Sequence, residues 1–415
     1  MKTRQAGYAT LITTLCCGQP AFCAENEDAP EKNADAHSTK APEKLGAVPT
    51  FMRRAARQPG LCGRISDQYG NFKTRMEEDY GLSWSFSLSF RQRRVDPESI
   101  GTASQTLFWP SLNWEIFDSE TLGAGSFQFM YYGERRGKQR ITLNRNGQTL
   151  SGEAPDSNNR FSQITYTHTL PGERLAIAIG QYSFFNFDSN DYLADQQLNF
   201  VNSIFSENAS STYAVSGVGA YAQFNANDTL QFLFGGQSVN EEDSAQRPHR
   251  VLGSTAYSWL AYAQWKPGFR SLGEAQYSLG IYQAPAIDGH AASRGWSINA
   301  MQNLSDRWAV FGRLNASHNE DDNSKRSAAL GLALNNPLGR SAADQIGIAV
   351  GSLGQKILIL RQPVRHTQNT LEAYWNVSLH DGWLLTPDIQ YIRNPAFAPA
   401  RDNALIYSLR TTLVF

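Results

Sequence analysis

The chain has 415 residues, a formal charge of −1 and 12% aromatic side chains. So even a charge balance provides no overall basic bias toward nucleic acid or anionic headgroups. Mean hydropathy is −0.43, and past the N-terminus there is no apolar run of about 18 residues; this excludes a helical membrane protein but not a β-barrel, whose strands alternate between lipid and lumen.

At the N-terminus, Lys2 and Arg4 precede a moderately apolar run, Ala6–Cys17, with small residues around Ala21–Ala24. Basic, apolar and small residues in that order read as an export signal over residues 1–24. Cleavage after Cys23 puts Ala21 three residues before the cut; cleavage after Ala24 puts the poorly suited Phe22 there. Of the four cysteines, Cys62 alone lies outside this segment. The mature chain therefore forms no internal disulfide and no cysteine-built metal centre, and nothing in the sequence calls for a cofactor. Residues 25–64, rich in Ala, Glu, Lys, Asp and Pro, read as a disordered periplasmic linker. Its basic cluster, Met52-Arg53-Arg54-Ala55-Ala56-Arg57, reads as solvated tail. Gly70–Tyr80 has the composition of a short amphipathic helix.

From Leu82 the texture changes. Leu82-Ser83-Trp84-Ser85-Phe86-Ser87-Leu88-Ser89-Phe90-Arg91 alternates apolar and polar residues without a break, giving one apolar and one polar face. The same period predicts strands over 82–94, 103–117, 124–134, 161–170, 174–182, 213–224, 229–238, 255–265, 273–282, 295–304, 307–316, 327–335, 345–352, 370–379, 383–392 and 404–414. Most are near the ~9–11 residues that a tilted strand needs to cross a bilayer. Connections alternate in length. Short ones carry turn residues: Pro171-Gly172-Glu173, Asn225-Ala226-Asn227-Asp228, Lys266-Pro267-Gly268, Ser305-Asp306 and His380-Asp381-Gly382. Long ones span 95–102, 135–160, 183–212, 239–254, 283–294, 317–326, 353–369 and 393–403. Short periplasmic turns and long external loops belong to outer-membrane barrels. The fold class is therefore an all-β, transmembrane, antiparallel up-and-down barrel of about 16 strands over residues 65–415, with both termini in the periplasm.

The final strand ends on Phe415, with Leu413, Leu409, Tyr407 and Leu405 on the same face. This resembles the assembly signal that the barrel-assembly machinery reads.

Sixteen strands leave an aqueous lumen. Alternation assigns to it Ser85, Ser87, Ser89, Arg91, Arg93, Asn113, Glu115, Gln128, Glu274, Gln276, Arg313, Glu372, Asn376, Gln390, Ser408 and Arg410. Guanidinium groups supply fixed donors and carboxylates supply acceptors, a wall suited to hydroxyl-rich solutes. The loop 183–212 holds Phe184, Phe185, Phe187, Asp188, Asn190, Asp191, Tyr192, Asp195, Phe200, Asn202 and Phe205. Its aromatic content predicts packing inside the barrel, where Phe187, Asp188 and Asn190 join the pore lining. The spacing of Asp188 and Asp191 matches no standard calcium loop. An outer-membrane enzyme is disfavoured: there is no G-x-S-x-G elbow, and His168 is the histidine placed inside a strand, with His249, His290, His318 and His366 in connections.

Several stretches resemble the carbohydrate-selective porin family (OprB-type) of Gram-negative outer membranes. They are Gly70-Asn71-Phe72-Lys73-Thr74-Arg75-Met76-Glu77; Phe187-Asp188-Ser189-Asn190 with Phe200-Val201-Asn202; Pro337-Leu338-Gly339-Arg340 with Asp344-Gln345-Ile346-Gly347-Ile348-Ala349; and Glu372-Ala373-Tyr374-Trp375 with Leu385-Thr386-Pro387-Asp388-Ile389-Gln390-Tyr391-Ile392 and Asn394-Pro395. The resemblance covers residues 65–415. It implies a sixteen-stranded barrel that passes mono- or oligosaccharides by facilitated diffusion. The partners this implies are sugars as solutes, outer-membrane lipid, the assembly machinery and a homo-trimer, with no nucleic acid. The alternatives are a general, ion or organic-acid pore, a polysaccharide export pore and, further off, a barrel enzyme.

Overall fold

The computed structural model describes residues 63–96, 101–137, 159–239, 256–269, 272–286, 291–319, 324–359, 362–380, 382–396, 398–399 and 401–415. The export signal expected over 1–24 and most of the linker expected over 25–64 lie outside them.

One helix, α1 (Gly63–Tyr80), precedes the sheet, reaching back from the expected Gly70 into the end of the polar stretch. It ends at Gly81, whose φ of 65° is the left-handed geometry of a helix terminus. A Cβ there would lie 2.2 Å from the carbonyl oxygen of Glu115, so only glycine lets the chain turn this tightly into the wall. The helix meets the first strand at Trp84. The indole Nε1–H of Trp84 donates to the Tyr69 hydroxyl (3.0 Å), the Phe72 ring lies 5.7 Å from it, and the Lys73 ammonium sits 5.7 Å from its centroid.

The strands are β1 (Leu82–Asp96), β2 (Gly101–Ser119), β3 (Gly123–Arg136), β4 (Asn159–Thr169), β5 (Leu175–Tyr182), β6 (Gly217–Asn225), β7 (Leu230–Ser238), β8 (Tyr257–Trp265), β9 (Gly273–Ala284), β10 (Ser293–Asn303), β11 (Trp308–Asn319), β12 (Lys325–Asn335), β13 (Gln345–Ile359), β14 (Gln362–His380), β15 (Trp383–Arg393) and β16 (Asn403–Val414). A two-residue segment, Gly268–Phe269, pairs with the start of β9. Each strand is antiparallel to its neighbour, and β1 pairs with both β2 and β16. The ring is therefore closed and has no free edge. At the seam Phe86 and Phe415 exchange main-chain hydrogen bonds (3.2 and 2.9 Å), and their rings stack at 4.6 Å.

Burial alternates along most strands. On β1, Ser85, Ser87, Ser89, Arg91 and Arg93 are buried, while Leu88, Phe90, Gln92 and Arg94 are exposed. Exposed apolar residues on the outer face include Ile179 (59%), Leu330 (59%) and Val350 (53%). A closed ring with Leu, Ile and Val outside and Ser, Arg and Gln inside is a soluble barrel inverted, and it is stable only with hydrocarbon around it. Trp114, Trp265 and Trp308 stand on the outer face near the short turns, and Trp259, Trp296 and Tyr391 toward the other rim, which are the positions of interfacial aromatic girdles.

All sixteen expected strands occur, with three corrections to their neighbourhood. The strand expected from 213 begins at Gly217, because Tyr213 is drawn into an aromatic cluster with Phe184, Phe185 and Tyr282 at 4.8–5.4 Å. The expected long connection 353–369 is instead the continuation of β13 and β14, paired as far as Ile359 with Gln362. Above the hydrocarbon both faces meet polar surroundings, so the hydropathy period fades while pairing continues. His366 lies in that extension, and His318 and His380 lie near the ends of β11 and β14, on strands rather than in connections.

Candidate functional site

The interior face carries two polar constellations. The first is built around the connection from β5 to β6, residues 183–216. This segment has only a 3-10 turn, Phe184–Asn186, and one helical turn, Ser203–Ser206, so its main-chain groups need other partners. Its own short polar side chains supply some. The Asn190 side-chain carbonyl accepts from the N–H groups of Tyr192 (3.0 Å) and Leu193 (2.9 Å). Asp195 accepts from Gln197 N–H (2.7 Å), and Asn208 from Ser210 N–H (3.1 Å).

The wall supplies the rest. Glu372 on β14 accepts from the N–H groups of Val201 (2.5 Å) and Asn202 (3.0 Å). Arg410 on β16 donates to the carbonyls of Gln196 (2.6 Å) and Asn199 (3.0 Å). Arg313 on β11 donates to the carbonyls of Asp188 (3.2 Å), Phe205 (3.4 Å) and Leu193, and to Asn299 Oδ1 (2.7 Å). Asn376, Thr412 and Gln276 donate to Leu198, Gln197 and Ser189 carbonyls (2.6, 2.9 and 2.8 Å), and Gln197 donates to Ser87 Oγ (2.7 Å). Arg313, Glu372 and Arg410 are each buried to within 2%. A buried ionisable group is tolerated where polar partners surround it; here most of those partners are main-chain groups of the segment.

Apolar contacts complete the docking. Tyr192 stacks on Phe311 (4.9 Å, 12°) and Phe200 meets Tyr374 edge-on (4.8 Å). Gly351 on β13 leaves space for Ile204 and Phe205; a Cβ there would fall 2.5 and 2.8 Å from their side chains.

Asp188 accepts from Asn208 Nδ2 (2.8 Å), Ser297 Oγ (2.7 Å) and Asn299 Nδ2, so its carboxylate holds the segment to β10. Phe187 packs edge-on to Tyr221 at 5.0 Å. Burial raises the Asp195 carboxyl to about 6, opposed by the Gln197 N–H and by Arg410.

The second constellation lies on β1–β4 toward the long-loop rim. Arg91 donates to Gln105, Gln105 donates to Glu134, and Arg136 pairs with Glu134. The Tyr132 hydroxyl donates to Glu134 (3.0 Å). The Arg160 guanidinium covers the Tyr132 ring at 4.7 Å, and Trp109 lies 5.3 Å from that ring. Arg93 is buried on the same face.

Of the sequence-predicted residues, Arg91, Arg93, Gln128, Arg313, Glu372 and Arg410 are buried on the interior face, and Glu115 is half-buried there. Glu274 is exposed at the turn end of β9. Gln128 joins neither constellation; it accepts from Thr165 and Thr167 (2.8 Å each). Reading residues singly missed Gln105, Tyr132, Glu134, Arg136, Arg160 and Trp109. The alternation that assigned Gln128 to the interior extends to Tyr132, Glu134 and Arg136. Arg160 was hidden by a bulge on β4, where Met130 pairs with Gln163 but Tyr131 with Phe161, and the extra residue reverses parity.

Comparison with known proteins agrees with this architecture. Residues 254–415 match the family model described as carbohydrate-selective porin, OprB family. The chain is 33% identical over 318 residues to porin AaxA of Chlamydia pneumoniae, covering 74% of this chain and 72% of that one. It is 29% identical over 373 residues to porin AaxA of Chlamydia muridarum, covering 88% and 79%. The fold is that of the high-pH structure of Pseudomonas putida OprB, with a TM-score of 0.65, 15% identity and coverage of 84% and 97%. A closed barrel with an apolar outer face and these relatives belongs to a channel rather than an enzyme, integral to the outer membrane: the chain belongs to the OprB family of carbohydrate-selective porins.

Proposed function

We propose that this porin passes mono- and oligosaccharides by facilitated diffusion through a water-filled lumen that segment 183–216 narrows. One observation carries the reading: the segment is fastened along its length to interior side chains of β11, β14 and β16, so it takes up part of the bore instead of standing above it. The remaining wall on β1–β4 presents fixed guanidinium donors, a carboxylate and two aromatic rings. Sugars need such donors and acceptors around the rim and flat rings against their C–H faces. Arg91, Arg93, Gln128 and Glu115 then line the path, while Arg313, Glu372, Arg410, Phe187, Asp188 and Asn190 set its width. Both termini face the periplasm, and Phe415, Leu413, Leu409 and Tyr407 are read by the assembly machinery. Proteoliposomes test the reading: swelling in monosaccharide should exceed swelling in a neutral solute of equal size without hydroxyls, and equal rates would reject selectivity.

A second reading, a pore for small organic anions, is favoured by one feature. Arg136 pairs with Glu134, Arg91 reaches Glu134 through Gln105, Arg160 covers the neighbouring Tyr132 ring and Arg93 is buried on the same face, and guanidinium groups along a lumen select anions. The reversal potential in a salt gradient separates the two, since a sugar pore need have no anion preference.

A further inference from the structure

We propose that the outer face of β12–β15, at the long-loop rim, binds the phosphate groups of the phosphorylated glycolipid that forms the outer leaflet. Arg326 on β12, Arg365 on β14 and Arg393 on β15 are exposed on the lipid-facing side of their strands, with the half-buried Lys356 of β13 beside them. Register brings them together: Arg326 pairs with Gly354, Lys356 with Arg365, and Arg393 with Asn369. Adjacent strands lie ~4.8 Å apart, so the four cations form one patch. Arg294 on β10 and Arg94 on β1 extend the row on either side. Among the described strand residues of β10–β16 and β1, Asp96 is the acidic side chain on this rim of the outer face.

Height and charge both select the partner. On the same strands and face the apolar band ends at Leu330, Leu371 and Tyr391, exposed by 59%, 41% and 44%. At ~3.3 Å per residue and a tilt of ~40°, Arg393, Arg326 and Arg365 stand about 5, 10 and 15 Å above it. That is the headgroup layer, where a phosphate-bearing lipid puts its anions. Arg matches phosphate with paired, charge-assisted hydrogen bonds.

The proposal rests on the reading that the long-loop rim faces the cell exterior, and on no choice of solute. Its test is therefore made on the full chain folded in neutral detergent, where neither membrane sidedness nor transport enters. Native mass spectrometry compares bisphosphorylated lipid A with dephosphorylated lipid A and with phosphatidylglycerol. We expect bisphosphorylated lipid A to be retained about ten-fold more tightly by the wild type than by an Arg326→Ser/Arg365→Ser/Arg393→Ser variant, given three lost charge-assisted contacts. Dephosphorylated lipid A should be retained weakly and equally by both. Equal retention of lipid A by the two proteins, or of both lipid A forms or phosphatidylglycerol by the wild type, would overturn the assignment. Should the triple variant fail to fold, Arg365→Ser alone and the wild-type comparison of lipids decide the matter.

Discussion

Glu372, on β14, accepts a 3.0 Å hydrogen bond from the main-chain N–H of Asn202, and Val201 donates to the same carboxylate. One wall residue thus holds the point where segment 183–216 turns into its helical turn. Removing the acceptor leaves two buried N–H groups without a partner, at a cost of about 1–3 kcal/mol each. Glu372→Ala should release this stretch: single-channel current should rise, and limited proteolysis should cut within 183–216, while strand content by circular dichroism stays the same. Unchanged current and protection would mean that the tether does not set the bore.

Gly351 tests the same docking by bulk rather than charge. A valine there would drive carbon atoms into Ile204 and Phe205, and overpacking costs about 1–3 kcal/mol. Gly351→Val should loosen the segment as Glu372→Ala does, and Gly351→Ala less so. Hydrogen exchange of the amides from Asn199 to Ser206 would reveal it; wild-type protection in the valine variant would count against the packing described.

Asp195 makes the docking depend on pH. Burial raises its carboxyl from 3.8 to about 6, so the docked segment takes up a proton more readily than a released one. The resulting stabilisation is fully present below about pH 4, fades through pH 6 and is absent above; it amounts to about 3 kcal/mol at most. Protease resistance of 183–216 should therefore be greater at pH 5 than at pH 8, and Asp195→Asn should remove the difference. Greater resistance at pH 8 would contradict the sign.

The wall was legible in the sequence because each strand meets two different solvents, and a two-residue period records that contrast from Leu82 to Phe415. Where the contrast ends the signal ends, as in the paired extension between Leu353 and Asn369. Interior assignments of Arg313, Glu372 and Arg410 followed from parity alone. Their main-chain partners did not: those lie in one connection more than 100 residues away in sequence, and no local pattern encodes such a pairing. The Arg160 side chain was lost to one inserted residue on β4.

Phe415 secures the seam by ring and backbone together. Phe415→Ala keeps the two main-chain bonds but loses a stacked pair worth about 0.5–1.5 kcal/mol beyond its buried area. The folded, heat-modifiable band on unboiled gels should disappear at a lower temperature than in the wild type, with conductance of the surviving channels unaltered. Equal melting would leave the stacking without consequence.

Ion current through the purified porin in a planar bilayer, titrated with monosaccharides, tests the central claim most directly. A sugar-selective pore predicts steady single-channel current that glucose-sized sugars block in a saturable way, with block weakened in Arg91→Ala. Folded protein that carries no current, or current that no sugar blocks and that is the same in Arg91→Ala, would contradict it.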